Sequence, residues 1–312
     1  MRNLLLASAV IALGASCSIR DSIVLSVVGE NEQYLWRDEY QGTSLDVVAD
    51  GVWSFRWTWY RNLVVKTDEG WFVTDPFNPH AAGELKKALD HVAPGLPVHT
   101  LFLTHYHLDH VRGGAALGAN HVLAHEDCPV FWSELHAADV APLTEPIDGD
   151  KKLTIGGVDI ELLQLPHSHG GDTLYAVYLP KQKILHTADL GMVKAIPPVG
   201  IPDAYLPGYL RALDRVATLD FDRWGPSHFG LGTKPDLIDS TTMIRTLGRL
   251  VREATEQHRA PDGNVPDDAA TLKARYRYVN DRMKERYGGW LGYDQMILFF
   301  IVRGSTGELL GF

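Results

Sequence analysis

From Gly51 onward the chain alternates short apolar runs with turn residues. VWSFRWTWY, NLVVKTDEG and WFVTDPF are rich in Val, Phe and Trp, and residues 67–70 give the clearest turn between them, so these runs predict hairpin strands. Over residues 79–92 the period changes. Ala82, Leu85, Leu89 and Val92 recur at spacings of three and four, which predicts a helix. Residues 98–103 form a short apolar run suited to a strand buried on both faces, and it ends abruptly in THYHLDHVRGG. Then come HVLAH as a strand, DCPVFWSELHAA as a helix, and KKLTI with VDIELLQL as a strand pair. TLYAVYLP and KQKILHTADL read as strands joined by a Pro-Lys turn, residues 209–219 as a helix, and DRWGPSHFG as a loop. Residues 237–258 and 267–287 predict long amphipathic helices across the polar stretch APDGNVPDD, while QMILFFIVRG fits either a last strand or a buried helix. Residues 19–49 have weak periodicity and predict no element, and no repeat suggests a solenoid. The pattern as a whole predicts a mixed α/β domain over residues 18–235 and a helical C-terminal extension over residues 236–312 packed on it.

The N-terminus changes the cellular setting. MRNLLLASAVIALGASCS places Arg2 before an apolar run and small residues, the layout of a secretory signal peptide over residues 1–17. That run is shorter than the about 20 residues a membrane span needs. Cys17, after Gly14, Ala15 and Ser16, resembles the lipobox of bacterial lipoproteins, although Gly14 stands where that pattern prefers Leu. The expectation is an exported chain, either periplasmic or tethered to the envelope through Cys17, with secretion as a further outcome. Only Cys17 and Cys128 are present, so no disulfide framework supports the fold. The net charge of -10 and the lack of any basic run argue against nucleic acid as a partner. A small-molecule substrate remains compatible, even an anionic one, because a bound metal reverses the local field.

HYHLDH puts His105, His107, Asp109 and His110 within six residues, directly after a buried strand. Side chains two apart on a strand share a face, so His105 and His107 can point together, and the following turn presents Asp109 and His110 nearby. Imidazole nitrogen with carboxylate oxygen suits Zn²⁺. Gly113 and Gly114 let the next backbone segment pass close to the cluster.

HYHLDH resembles the HxHxDH signature of the metallo-β-lactamase superfamily, and LPHSHGGD, ILHTADL and GPSHFG follow in that family's order. The resemblance implies a four-layer αβ/βα sandwich with metals at one sheet edge. It implies that His105, His107 and a histidine of the second motif bind one metal, that Asp109, His110 and His228 bind another, and that Asp189 bridges them. In the second motif His167 is favoured because Ser168 follows it, with His169 as its rival, since the segment carries one extra residue before Asp172. The implied cofactor is a pair of zinc ions, with iron as the alternative. The implied activity is hydrolysis of an ester, lactone, thioester, phosphoester or amide-type bond by water acidified on the metals, with Asp109 orienting it and moving its proton. A mononuclear iron persulfide dioxygenase or a β-lactamase are the alternatives. Asp75 reads either as a hydrogen-bond acceptor for a ligand imidazole or as a turn residue, and Thr104 has a similar part. Trp53, Trp57, Trp59 and Tyr60 read first as hairpin packing and second as a substrate mouth. Lys194 reads as a solvated lysine or an anion clamp.

Overall fold

The computed structural model describes Leu35, residues 37–266 and residues 268–310, with side chains through residue 305. The signal peptide expected over residues 1–17, and Cys17 with it, lies outside the described residues.

Two mixed sheets face each other. The first has strands in sequence order: β1 (Thr43–Ala49), β2 (Val52–Trp57), β3 (Tyr60–Thr67), β4 (Gly70–Thr74), β5 (Val98–Phe102), β6 (His121–His125) and β7 (Glu145–Ile147). Its first four strands are an antiparallel meander, and β4 to β7 run parallel. The second runs β12 (Arg223–Pro226), β11 (Ile184–Ala188), β10 (Tyr175–Leu179), β9 (Val158–Gln164) and β8 (Lys151–Ile155), with only β11 and β12 parallel.

Period-two alternation divides each strand between two cores. Phe72 of β4 and Tyr175, Val177 and Leu179 of β10 meet between the sheets, with Phe102, Leu123 and Leu162. Trp71 and Val73 face outward, where Ala81, Ala82, Leu85 and Leu89 of α1 (Pro79–Val92) cover them. Each fully buried Leu there stabilises the layer by roughly 1.5–3 kcal/mol. Helix α1 starts where Asn78 accepts hydrogen bonds from the backbone N–H groups of His80 and Ala81, with Pro79 at its first position. Two short helices, α2 (Leu108–Val111) and α3 (Cys128–Glu134), lie in the loops after β5 and β6.

Over the second sheet, Ala176, Tyr178 and Leu185 pack under α4 (Leu206–Ala217), α5 (Lys234–Glu256), α6 (Ala269–Tyr287) and α7 (Tyr293–Leu310). Helix α5 opens with a reciprocal cap in which Asp236 accepts from the backbone N–H and the hydroxyl of Thr233. Leu213, Leu247, Val279, Met283 and Phe300 share one buried cluster with the sheet, so the C-terminal helices and the sandwich have a common core. Among the described residues no helix is long and apolar enough to cross a membrane.

The structure departs from the sequence expectations in two places. Residues 43–49 form strand β1, an edge strand with no buried residue, so it lacks the apolar alternation that would announce it. DRWGPSHFG contributes the four-residue strand β12, which exists because β11 pairs with it and not because of its own pattern. Of the two readings open for QMILFFIVRG the helix holds, since the segment lies inside α7.

Candidate metal centre

Each element that feeds the site ends at the same rim of the sandwich. Strand β5 ends and Thr104 and His105 follow. His107 then caps the four-residue α2, which carries Asp109 and His110. The turn is fixed from outside: the Phe77 N–H donates to the His110 carbonyl at 2.8 Å. Gly113, at φ +83°, passes so close that a Cβ there would lie 2.4 Å from the Asn78 carbonyl carbon. Strand β11 delivers Asp189, and β12 delivers Ser227 and His228. The tip joining β2 to β3 is stitched to that last loop, the Phe229 N–H donating to the Trp59 carbonyl at 2.8 Å and the Arg61 N–H to the Ser227 carbonyl at 2.6 Å.

Four imidazoles converge on one carboxylate. Asp189 Oδ1 lies 2.8 Å from His228 Nε2 and 3.3 Å from His110 Nε2. Asp189 Oδ2 lies 3.2 Å from His169 Nε2 and 3.8 Å from His105 Nε2. Among the described residues, three sets of donor atoms are compact to within 4.8 Å, the first being Asp75, His105 and His110. The other two meet at this carboxylate: His105, His107, His169 and Asp189 in one, His110, Asp189 and His228 in the other. Asp189 belongs to both, and the Ser227 hydroxyl donates to its Oδ1.

His167 is outside this cluster, which corrects the expectation from the second motif. Its side chain is 69% exposed and pairs with Asp172 at 2.8 Å, while His169, two residues on, is buried against Asp189. Around His169 the backbone is left-handed at His167 itself, at φ +53°, and at Gly170 and Gly171, both at φ +61°, and along this turn the second histidine faces inward. Asp109 stands at the rim, half-exposed, with Oδ2 3.7 Å from His110 Nε2 and 3.1 Å from the Tyr60 hydroxyl that donates to it. Lys194 is exposed and does not line the cleft over the cluster.

A ring of partners holds the imidazoles. Asp75 is fully buried at φ +28°, a strained left-handed position for a residue with a side chain. Its carboxylate accepts from the Thr104 backbone N–H at 2.9 Å and the Thr104 hydroxyl at 2.7 Å. Thr104 Oγ1 lies 2.9 Å from His105 Nδ1, so an Asp75–Thr104–His105 relay leaves His105 Nε2 turned to the cluster. Trp59 stacks on His228 with ring centroids 4.7 Å apart, and Tyr60 packs edge-on against His110 and His228. Trp53 and Trp57 pack elsewhere, against Trp71 and His80. The sequence gives no signal for Asp203, in a Pro-rich loop, which lies 3.0 Å from His107 Nε2 and 2.8 Å from His169 Nδ1.

The electrostatics are those of a cation site. Burial drives the His105 imidazole well below its ordinary pKa, and the neighbouring His107 and His110 push the same way. For His110 burial acts downward, but Asp189 and Asp109 outweigh it and the pKa is well raised. His169 is raised to about 9, since Asp189 and Asp203 overcome its burial. Asp189 is itself held well below the carboxylate range, because His110 and His228 outweigh its desolvation. The Nε2 atoms of His105 and His110 are buried with no hydrogen-bond partner among the described residues. Lone-pair donors crowded round one carboxylate, out of water, are satisfied only by protons or metal cations, and nitrogen with carboxylate oxygen suits zinc or iron.

A cleft of about 230 Å³ opens over the cluster. Its floor is His107, His169, His228, Asp109, Asp189 and Asp203, and its walls are Trp59, Met192, Pro198, Val199, Ile201 and Pro202. Among the described residues no Lys or Arg lines it.

Comparisons with known proteins agree with this geometry. The metallo-beta-lactamase superfamily profile matches residues 62–228, more than half of the chain. The alpha subunit of 2,4-dinitroanisole O-demethylase from Nocardioides sp. (strain JS1661) is 29% identical over 211 residues, 66% of this chain. The chain spans 62% of that relative's length. A metallo-beta-lactamase from Pontibacter korlensis shares the fold at a TM-score of 0.57 and 22% identity, covering 64% of this chain and 98% of its own. A stereoselective inverting sec-alkylsulfatase from Pseudomonas sp. shares it at a TM-score of 0.63 and 15% identity, over 86% of this chain and 50% of its own. With the motifs of the HYHLDH loop, Asp189 and His228 gathered at one rim of an αβ/βα sandwich, this chain belongs to the metallo-β-lactamase superfamily.

Proposed function

We propose that this chain is an exported, dinuclear zinc hydrolase that cleaves an uncharged ester, lactone, thioester or activated aryl ether. The observation that carries the reading is the Asp189 carboxylate, each oxygen of which faces two imidazole Nε2 atoms from separate loops. A shared carboxylate offsets the repulsion between two dications about 3.5–4 Å apart. Two zinc ions held there by His105, His107 and His169 on one side, and by His110, His228 and Asp109 on the other, would supply Lewis acidity and water activated near neutral pH.

The chain's own groups do the rest. Asp109 projects half-exposed into the cleft, where it can take a proton from water and pass it to a leaving oxygen. Tyr60 fixes that carboxylate, and burial raises the phenol pKa far enough that its hydroxyl stays a donor. The apolar walls exclude water from a neutral substrate body. With no Lys or Arg among the described residues of the lining, a sulfate, phosphate or β-lactam carboxylate finds no side-chain counter-charge there. The O-demethylase relative, whose name gives an uncharged nitroaryl ether, supports the same substrate class. Export rests on the leader read in residues 1–17.

The test is a substrate panel with metal analysis. Neutral aryl esters, lactones, thioesters and 2,4-dinitroanisole are expected to exceed sulfate and phosphate esters in kcat/KM by about 100-fold or more. Turnover should vanish on chelation and return with zinc. Preference for anionic esters, or full activity in chelator, contradicts the reading, and a single iron per active chain replaces hydrolysis with oxygen chemistry.

A further inference from the structure

The segment between Asp189 and α4 lines the cleft with Met192, Pro198, Val199, Ile201 and Pro202, and it carries Asp203. This carboxylate touches two rings at once. Oδ2 lies 3.0 Å from His107 Nε2, and Oδ1 lies 2.8 Å from His169 Nδ1 in a bent approach held by charge more than by an in-line hydrogen bond. The opposite edge of the His169 ring, Nε2, faces Asp189 at 3.2 Å, so that ring spans both carboxylates. With Nε2 of His107 turned to Asp203, Nδ1 is the nitrogen that ring has left to offer.

We propose that Asp203 is a positioning residue for the first metal position, orienting His107 through Nε2 and His169 through Nδ1 so that His107 Nδ1 and His169 Nε2 face the cation. The proposal rests on the dinuclear reading above. It gives every imidazole of that position a partner for its second nitrogen, since Thr104 already serves His105. Such partners fix ring direction and tautomer.

Asp203 is itself held in place. Its Oδ2 accepts the Gly170 N–H at 2.9 Å, and the Tyr205 N–H donates to the Ser168 carbonyl at 3.0 Å, so the loop is tied on both sides to the segment that carries His169. Farther back, the Ile196 N–H donates to the Leu291 carbonyl and the Leu291 N–H to the Lys194 carbonyl, both at 2.9 Å. Arg303 of α7 donates to the Ala204 carbonyl. The C-terminal helices therefore set where this carboxylate stands.

The experiment measures zinc affinity by chelator competition on the full chain, for the parent, Asp203→Ala, Asp203→Asn and, as a control, Asp172→Asn. Asp203→Ala should weaken one of the two zinc equivalents by about 10- to 100-fold and leave the other unchanged. Asp203→Asn keeps one acceptor oxygen and should fall between Asp203→Ala and the parent. Asp172→Asn, which touches only the outward His167, should match the parent. In proton spectra of the zinc-loaded parent, the exchange-protected ring N–H resonances should include two that disappear in Asp203→Ala, while that of His105, held by Thr104, should persist. Two equivalents bound by Asp203→Ala as tightly as by the parent overturn the proposal, as does an equal loss at both positions. A folded parent that takes up no zinc overturns the dinuclear reading as well, and so separates the two failures.

Discussion

Two buried histidines, one just beyond the end of β5 in the first sheet and one on β11 in the second, have opposite fates. His105, with Nδ1 against Thr104, turns a bare nitrogen to the cluster. His186, on β11, is 2% exposed and sits with Nε2 3.5 Å from Thr74 Oγ1, away from any carboxylate contact. Burial lowers the His186 pKa to about 4, against weaker upward pulls from Asp75 and the Gly225 backbone. The unfolded chain, with an ordinary value of 6.5, binds the proton first, so stability from this residue is complete above pH 6.5. It is lost as pH falls from there to about 4, by about 3 kcal/mol in all. Urea unfolding at a series of pH values should show that slope in the metal-free parent and a shallower one in His186→Gln. Parallel slopes for the two proteins would contradict the assignment.

At the scale of elements, one contact decides how the second motif meets the site. Helix α4 passes the loop of residues 165–174 at Gly208, where an added Cβ would lie 1.6 Å from the His167 carbonyl oxygen. That overlap involves backbone on both sides, so no side-chain rotation relieves it. Gly208→Ala should therefore push loop and helix apart, with a stability loss of about 2 kcal/mol or more and weakened zinc binding through His169. Thermal unfolding and chelator competition read both effects, and a Gly208→Ala protein with parental values would show the approach to be looser than the structure has it.

The same loop shows where the sequence is legible. HYHLDH could be read as a site because a buried strand delivers it, and helix α1 because spacing and a Pro start mark it. Strands β1 and β12 could not, because an exposed edge and a four-residue parallel pairing leave no period of their own. The choice between His167 and His169 turned on left-handed backbone at His167, Gly170 and Gly171, and sequence shows the glycines but not the conformation of His167 or which way the turn sends the chain. Asp203 was invisible because its meaning comes from helices about a hundred residues away.

Across the whole molecule, the helical C-terminal region is structural continuity and not an appendage. Phe300 of α7 is fully buried in the cluster that also holds Leu185 of β11 and Leu213 of α4, and its backbone lies beneath Gly200 at the cleft wall. A common core predicts one unfolding transition, so helix signal by circular dichroism and tryptophan fluorescence should follow the same denaturant curve. Phe300→Ala should shift both curves together by about 3–5 kcal/mol. Early loss of helix while tryptophan packing survives would show that the extension folds as a separate unit.

The central claim is that histidines from three loops and one shared carboxylate form a single receptacle for cations. Metal content of the purified, folded protein after zinc loading and desalting tests it most directly, with His107→Ala and Asp189→Ala alongside. The parent should retain about two equivalents per chain, His107→Ala about one, and Asp189→Ala fewer than the parent, all with unchanged circular dichroism. A parent that retains no divalent metal, or a His107→Ala and an Asp189→Ala that both retain the parental amount, would contradict it.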